Sequence, residues 1–321
     1  MSCRIAISII NFRTLDLTIS CVSSVLDDIG ALDAQVVIVD NASGDGSDKG
    51  LANWIAGLPK GTPSVTLVCS PINTGFSGGH NLGIRAVMAD YYLLLNSDAV
   101  LRRGFLRAIL DTAETHPEAG IIAPQIETDA GDIQVSQFRF HSPWSELIRG
   151  AATGPVTNML HRHVVPLDLP ADPNHVEWAS FACILLNGEM VREIGPMDEG
   201  YFLYYEDAEY CLRARRAGWR IELAPEAAVV HHRGGSGPVK ANAKARKRLP
   251  SYYYASRTRF LTQSCGRLGL LAANLGWHLG RVIANARRLV GKTVPPAIEN
   301  EAADIWTNFL QPLGSRRAPE E

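Results

Sequence analysis

Over the first two-thirds of the chain, short apolar runs alternate with stretches of helical period. IAISII is followed by a helical pattern from about Leu15 to Asp28, AQVVIVD by one near Asp48 to Gly57, SVTLVCS by the helix after Gly78, and YYLLL by one from Arg102 to Thr115. Strands and helices alternating at this length predict an α/β fold with a mostly parallel, Rossmann-like central sheet and helices on both faces. The strands also stop in polar residues: Asn11 after ISII, Asp40 and Asn41 after VVIV, Ser70 and Asn73 after TLVC, and Asn96-Ser97-Asp98 after YYLLL. Ligands of open α/β sheets lie outside the carboxyl ends of the strands, so four polar strand ends predict a nucleotide crevice there.

The 321 residues suffice for one large domain with an appendage, or for two domains. Their net charge of −2 conceals an asymmetry, because Arg233 to Pro296 holds thirteen Lys or Arg and no Asp or Glu. That shift predicts a boundary near 235, with a catalytic domain over 1–235 and a basic helical region over 236–321. The six cysteines include no C-x-x-C pair, which argues against a zinc site or a disulfide framework. MSCRIAISIINF runs straight into a strand and does not read as a signal peptide. A reducing cytoplasm is the expected compartment, at large or on the inner face of the cell membrane.

Five stretches carry candidate chemistry. In VDNASGDGS, Asp40 sits where a strand stops, and a carboxylate there either accepts from the imide N–H of a uracil or thymine ring or makes an Asx turn. In NTGFSGGHNLGI the glycines Gly75, Gly78, Gly79 and Gly83 lead into a helix, a composition that lets backbone N–H groups approach phosphate. It is neither G-x-G-x-x-G nor a P-loop, which weakens dinucleotide and ATPase readings. Asn96-Ser97-Asp98 caps the helix that follows or offers a carboxylate to a cation. Tyr201, Phe202, Tyr204 and Tyr205 form an aromatic platform before Glu206 and Asp207, suited to stacking a sugar beside a base. His231 and His232 end a later strand, where an imidazole is either a metal ligand or structural.

Taken in order, SIINFRTLD, VDNASGDGS, NTGFSGGHNLGI, LLLNSDAVL, ACILLNGEMVREIGPMDEGYFLYYEDAEYCLR and VVHHRGGS resemble glycosyltransferase family 2, the inverting enzymes of GT-A fold, and within it the rhamnosyltransferase-like branch that builds bacterial cell-surface polysaccharides such as cell wall. The resemblance spans about Arg4 to Ser236. It implies that Asp40 reads the base and that Asn11, Asn73, Gly75, Phe76, Asn81 and Asn96 shape the pocket for a dTDP- or UDP-linked sugar. It sets Asn96-Ser97-Asp98 in place of the family's Asp-x-Asp motif, leaving Asp98 as the one carboxylate for Mg²⁺ or Mn²⁺, with His231 completing the metal or diphosphate site. Asp207 takes the place of the general base, Glu206 stands beside it, and Trp178, Tyr204 and Tyr205 face the acceptor, a glycan or lipid-linked glycan. Rival readings are a sugar nucleotidyltransferase, which should carry a basic triphosphate loop near its N-terminus, and a non-catalytic nucleotide-sugar-binding protein, which needs no Glu206-Asp207 pair.

The basic region interleaves Lys and Arg with Tyr252, Tyr253 and Tyr254, yet no nucleic-acid-binding motif accompanies it, so no nucleic-acid partner is expected. Beyond it, Leu268, Leu271, Leu275, Leu279, Val282, Ala286 and Leu289 fall at spacings of three and four, while Arg267, Asn274, Arg281 and Arg288 recur every seven. This predicts an amphipathic helix with a basic polar face. Its apolar stripe packs on the protein's own core, forms a homodimer, or lies on an anionic membrane surface, being too short and interrupted to span one.

Overall fold

The computed structural model describes residues 2–232 and 238–319. Two compact units divide the chain: Met1–Ser136, Trp178–Glu199 and Tyr210–Gly235 make the first, and Gln137–Glu177, Gly200–Glu209 and Ser236–Glu321 the second. The boundary expected near 235 is one of these divisions, but two earlier segments belong with the C-terminal region.

The first unit follows the alternating pattern: β1 (Cys3–Asn11), α1 (Leu15–Ile29), β2 (Ala34–Asp40), α2 (Ser47–Ala56), β3 (Ser64–Cys69), α3 (Gly75–Ala86), β4 (Ala89–Asn96), β5 (Ala99–Leu101), α4 (Phe105–Thr115) and β6 (Ala119–Glu127). The short strand β7 (Gln137–Phe138) and the helices α5 (Pro143–Ala151) and α6 (Gly154–Met159) belong to the second unit, and the first resumes with the short β8 (Trp178–Ala179), then β9 (Cys183–Asn187) and α7 (Gly188–Ile194). Helix α8 (Glu206–Arg216) starts in the second unit and ends in the first, and β10 (Arg220–His231) completes the sheet.

Eight strands lie in the order β3-β2-β1-β4-β9-β6-β10-β5. The pairs β1/β2, β1/β4, β2/β3 and β6/β10 are parallel, whereas β9 runs antiparallel between β4 and β6, and β5 antiparallel against β10. The sheet is therefore mixed, as GT-A folds are, and the reversed strand β9 lay beyond the alternation rule. Burial on both faces explains the continuous apolar runs: Ile5, Ile7, Ile9, Val36, Ile38, Leu93 and Leu95 pack with Val22 and Val25 of α1 and Phe105, Leu106 and Ile109 of α4 in one core.

Asn96-Ser97-Asp98 does not cap a helix. The chain turns at Ser97-Asp98 straight into β5, and α4 begins only at Phe105 after the left-handed Gly104 (φ 83°). The Asp28 carboxylate takes that cap instead, accepting from the backbone N–H of Gly104 at 2.5 Å and of Leu106 at 2.8 Å. The triplet thus has no local structural duty that would explain its carboxylate.

The second unit is helical, adding α9 (Val239–Ala245), α10 (Ser251–Leu289) and α11 (Glu301–Asp304). Helix α10 breaks at Gly266, whose φ of 72° and ψ of 177° no helix contains. Its second half lies close on α5: a Cβ on Gly280 would sit 2.4 Å from the Ala151 nitrogen, and one on Gly150 would sit 2.2 Å from the Trp277 carbonyl oxygen. Between the two helices Arg257 and Glu146, each about 1% exposed, pair at 2.7 Å. Arg149 bonds Glu146 at 2.6 Å and also Glu301, while Arg257 donates to Asn274 Oδ1 at 2.9 Å.

Candidate active site

Parallel register aligns the carboxyl ends of β1, β2, β3 and β4. Asn11 lies opposite Asp40, Asp40 opposite Cys69, and Ile10 opposite Asn96. The polar residues that end these strands therefore share one edge of the sheet.

Asp40 is buried there and held from three sides. Its Oδ1 accepts from Asn11 Nδ2 at 2.7 Å and Ser43 Oγ at 2.6 Å, and its Oδ2 from the Ser43 N–H at 3.2 Å. These bonds fix the carboxylate's direction, while Oδ2, with a single long bond, keeps acceptor capacity for a ligand N–H. Arg13, left-handed at φ 58°, reaches the same loop through its Nε to the Ser43 carbonyl at 2.9 Å. Ser43 ties together Asn11, Arg13 and Asp40, a role that VDNASGDGS signals only by composition.

The loop before α3 is organised by Asn41. Its Nδ2 donates to Asn73 Oδ1 at 3.1 Å and the Gly75 carbonyl at 3.0 Å, and its Oδ1 accepts from the Thr74 N–H and hydroxyl. Asn73 Oδ1 also accepts from the Gly75 N–H, so Asn73 and Gly75 are brought together at the start of α3. Phe76 is half-buried with its ring edge on His80, 4.5 Å between centroids. Two expectations fail here. Gly79 and Gly83 serve close packing of α3 on β1, since a Cβ would lie 2.7 Å from Ile10 Cδ1 or 2.1 Å from Ser8 Oγ. Asn81 does not line a pocket for the donor: its amide donates to the Met197 carbonyl and to Glu199 and accepts from the Met197 N–H, all near 3 Å.

Asp98 and His231 meet at this edge. Pairing of β5 with β10 sets His231 opposite Ala99, and the His232 N–H donates to the Asp98 carbonyl at 2.8 Å. Both side chains are buried, with His231 Nε2 at 3.3 Å from Asp98 Oδ1 and 3.5 Å from Asn96 Nδ2. Gln134 Nε2 donates to the His231 carbonyl at 3.1 Å, and Thr14 and Ser97 hydroxyls bond at 3.0 Å. Sequence reasoning missed these supports because each is a lone polar residue in an ordinary loop. Among the described residues no group of three or more His, Cys, Asp or Glu could hold a metal. A carboxylate oxygen and an imidazole nitrogen 3.3 Å apart are nevertheless donors that a divalent cation takes, and Asp98 and His231 would hold it. The residues present therefore fit a divalent cation. Arg233 to Gly237, the end of the VVHHRGGS stretch, lie outside the described residues.

The second unit carries Glu206 and Asp207 at the N-terminus of α8. Tyr204 and Tyr205 precede them with φ of 71° and 70°, the left-handed region that costs a residue with a side chain about 1–3 kcal/mol and clusters at functional sites. Burial and the neighbouring Asp207 push the Glu206 carboxyl well above the usual range, and its Oε2 is buried without a hydrogen-bond partner. Burial thus favours the protonated form of Glu206. Asp207 is half-buried, with Oδ1 accepting from the Ala208 N–H at 2.8 Å, where the helix dipole favours a negative charge.

The expected aromatic platform is corrected. Tyr201, Phe202 and Tyr205 are buried, with Tyr205 packed among His141, Tyr253 and Phe260 and its hydroxyl 3.3 Å from that of Tyr253. Apolar rings found one another more favourably than water. Tyr204 alone of the four stays half-exposed, edge-on to Tyr253; Trp178, in the first unit, is also half-exposed.

Comparison with known proteins agrees with this geometry. The model of Glycosyl transferase family 2 matches residues 7–163. An N-acetylglucosaminyl-diphospho-decaprenol L-rhamnosyltransferase of Mycobacterium tuberculosis is 28% identical over 222 residues, 63% of this chain and 67% of that protein. Two solved structures share the fold: the mannosyltransferase PcManGT of Pyrobaculum calidifontis in complex with GDP-Man and Mn²⁺, and TarS of S. aureus in complex with UDP. Their TM-scores are 0.52 and 0.53 at 14% and 10% identity, with 98% and 97% of this chain and 85% and 80% of theirs covered. Residues 7–163 thus match glycosyltransferase family 2, the chain is similar to a rhamnosyltransferase, and its fold is shared with two solved glycosyltransferase structures.

Proposed function

We propose that this protein transfers a sugar, a deoxyhexose such as rhamnose, with inversion from a dTDP- or UDP-linked donor to a hydroxyl of a lipid-linked glycan in cell-surface polysaccharide synthesis. The observation that carries this reading is the buried Asp98–His231 pair, at the same end of the sheet as the fixed Asp40 carboxylate. The printed names of the neighbours support it: a rhamnosyltransferase with a diphospho-decaprenol acceptor, and structures holding GDP-Man with Mn²⁺ or UDP.

In this reading Asp40 accepts the imide N–H of the base, and Asn73, Gly75 and Phe76 line the ribose and diphosphate. Asp98 and His231 hold Mg²⁺ or Mn²⁺, which when bound neutralises charge on the leaving diphosphate. Asp207 takes the proton of the acceptor hydroxyl as it attacks the anomeric carbon from the face opposite the leaving group. Neutral Glu206 lets Asp207 ionise without a like charge beside it. Tyr204 and Trp178 serve as acceptor contacts.

The test is a panel of nucleotide sugars screened for ligand-induced thermal stabilisation with Mn²⁺ or chelator. One dTDP- or UDP-sugar at 100 times its Kd should stabilise by about 2.7 kcal/mol. Chelator, or Asp98→Ala, should remove most of that. Stabilisation indifferent to both would return Asp98 to a structural role.

A further inference from the structure

The second half of α10 is packed the opposite way round from what its period implies. Its buried side carries Leu270 and Ala273, packed with Leu261 and Phe309, then Asn274, Trp277, Gly280 and Ala284, and Gly280 with Gly150 lets the backbones of α10 and α5 approach. The leucine stripe faces out. Leu268 is 82% exposed, Leu275 54%, Leu279 53%, Val282 63% and Leu289 90%, and Ala272 and Ala286 on the same side are exposed too. These positions recur every three or four residues, so they form one unbroken apolar band about 30 Å long at 1.5 Å per residue. A band of that size on a helix otherwise well packed marks an interaction surface.

We propose that this band docks the protein peripherally on an anionic phospholipid surface. Charge decides the occupant. The segment from Arg233 to Pro296 carries thirteen basic and no acidic residues, and among the described residues Arg267 and Arg287, on either side of the band, form no ion pair. A second copy of the chain seated on the band would set one cationic helix against another, whereas an anionic bilayer meets both the apolar band and its cationic margins. Arg257 and Arg248 take no part, since Glu146 and Asp304 neutralise them. No described helix is long and apolar enough to cross a membrane, so the helix lies in the interface plane. Each basic side chain at an anionic leaflet raises partitioning roughly five-fold, so Arg267 and Arg287 together give a salt-dependent attachment. The proposal rests on α10 alone and stands or falls independently of the catalytic reading.

The experiment is co-sedimentation of the full chain with vesicles of phosphatidylcholine alone or with phosphatidylglycerol, at about 0.05 M and about 0.5 M salt. Wild type should pellet with the anionic vesicles, release several-fold at high salt, and ignore the neutral ones. Leu275→Glu combined with Leu279→Glu should lower the bound fraction at least ten-fold while melting as wild type does. The milder Leu279→Ser, expected to weaken binding several-fold, is the readout should the double variant melt early. Equal pelleting of wild type with both vesicle types, unaltered binding by the variants, or a wild-type dimer in analytical ultracentrifugation that the substitutions split would overturn the proposal.

Discussion

At the residue scale, adjacent carboxylates are separated by environment. Glu206 and Asp207 look equivalent in the sequence, yet one is buried without a partner and the other sits half-exposed at the helix start. Burial is a property of the assembled chain, so no reading of EDAEYCLR could assign the neutral one. Because the folded Glu206 carboxyl lies above its unfolded value, the stability it contributes is complete below about pH 4.5 and is lost as pH rises toward the folded value. Glu206→Gln keeps the neutral shape and removes the titration. Its melting temperature should exceed that of wild type by a margin that grows as pH rises above about 4.5. Parallel melting curves at every pH would mean that Glu206 is charged when folded. Asp40, Asn11, Asp98 and His231, by contrast, were legible, because strand ends are local features and a parallel sheet aligns them.

At the element scale the alternation of apolar runs located β1 to β4 and α1 to α3 to within a few residues. It did not foretell β5 or the antiparallel β9, since three apolar residues after a turn, and a strand reached by a long excursion, leave no periodic mark. Period alone left the faces of α10 open: it shows which side is apolar, not which side is covered, and small residues won the interface by allowing close approach. The cost of that choice is a buried ionic cluster. Burial would raise the Glu146 carboxyl, but Arg149 and Arg257 outweigh it and hold it well below the ordinary range. Its contribution is therefore present above about pH 4.5 and is lost as pH falls through the folded value. Arg257→Ala leaves Glu146 facing Arg149 alone across a buried gap and should cost about 3–5 kcal/mol in urea unfolding. Arg248→Ala, at the more exposed pair with Asp304, should cost far less, because solvent screens that pair. Equal losses would mean that the buried cluster is no more than surface charge.

At the scale of the whole molecule the fold explains why the chemistry is divided. A sheet edge gathers groups suited to a nucleotide and a cation, Asp40, Asp98 and His231, while a helix start in the other compact unit carries the acid pair suited to an acceptor. Donor binding and proton removal then depend on different residues and should fail separately. The most direct measurement is turnover and donor affinity for Asp207→Asn beside Glu206→Gln, using the nucleotide sugar that stabilises the wild type. General-base catalysis is typically worth 10²–10⁴-fold, so Asp207→Asn should lower kcat by about that factor with Kd for the donor changed less than about two-fold, and Glu206→Gln should retain most of its turnover. An Asp207→Asn enzyme that keeps more than about a tenth of wild-type kcat would contradict the assignment of Asp207 as the base.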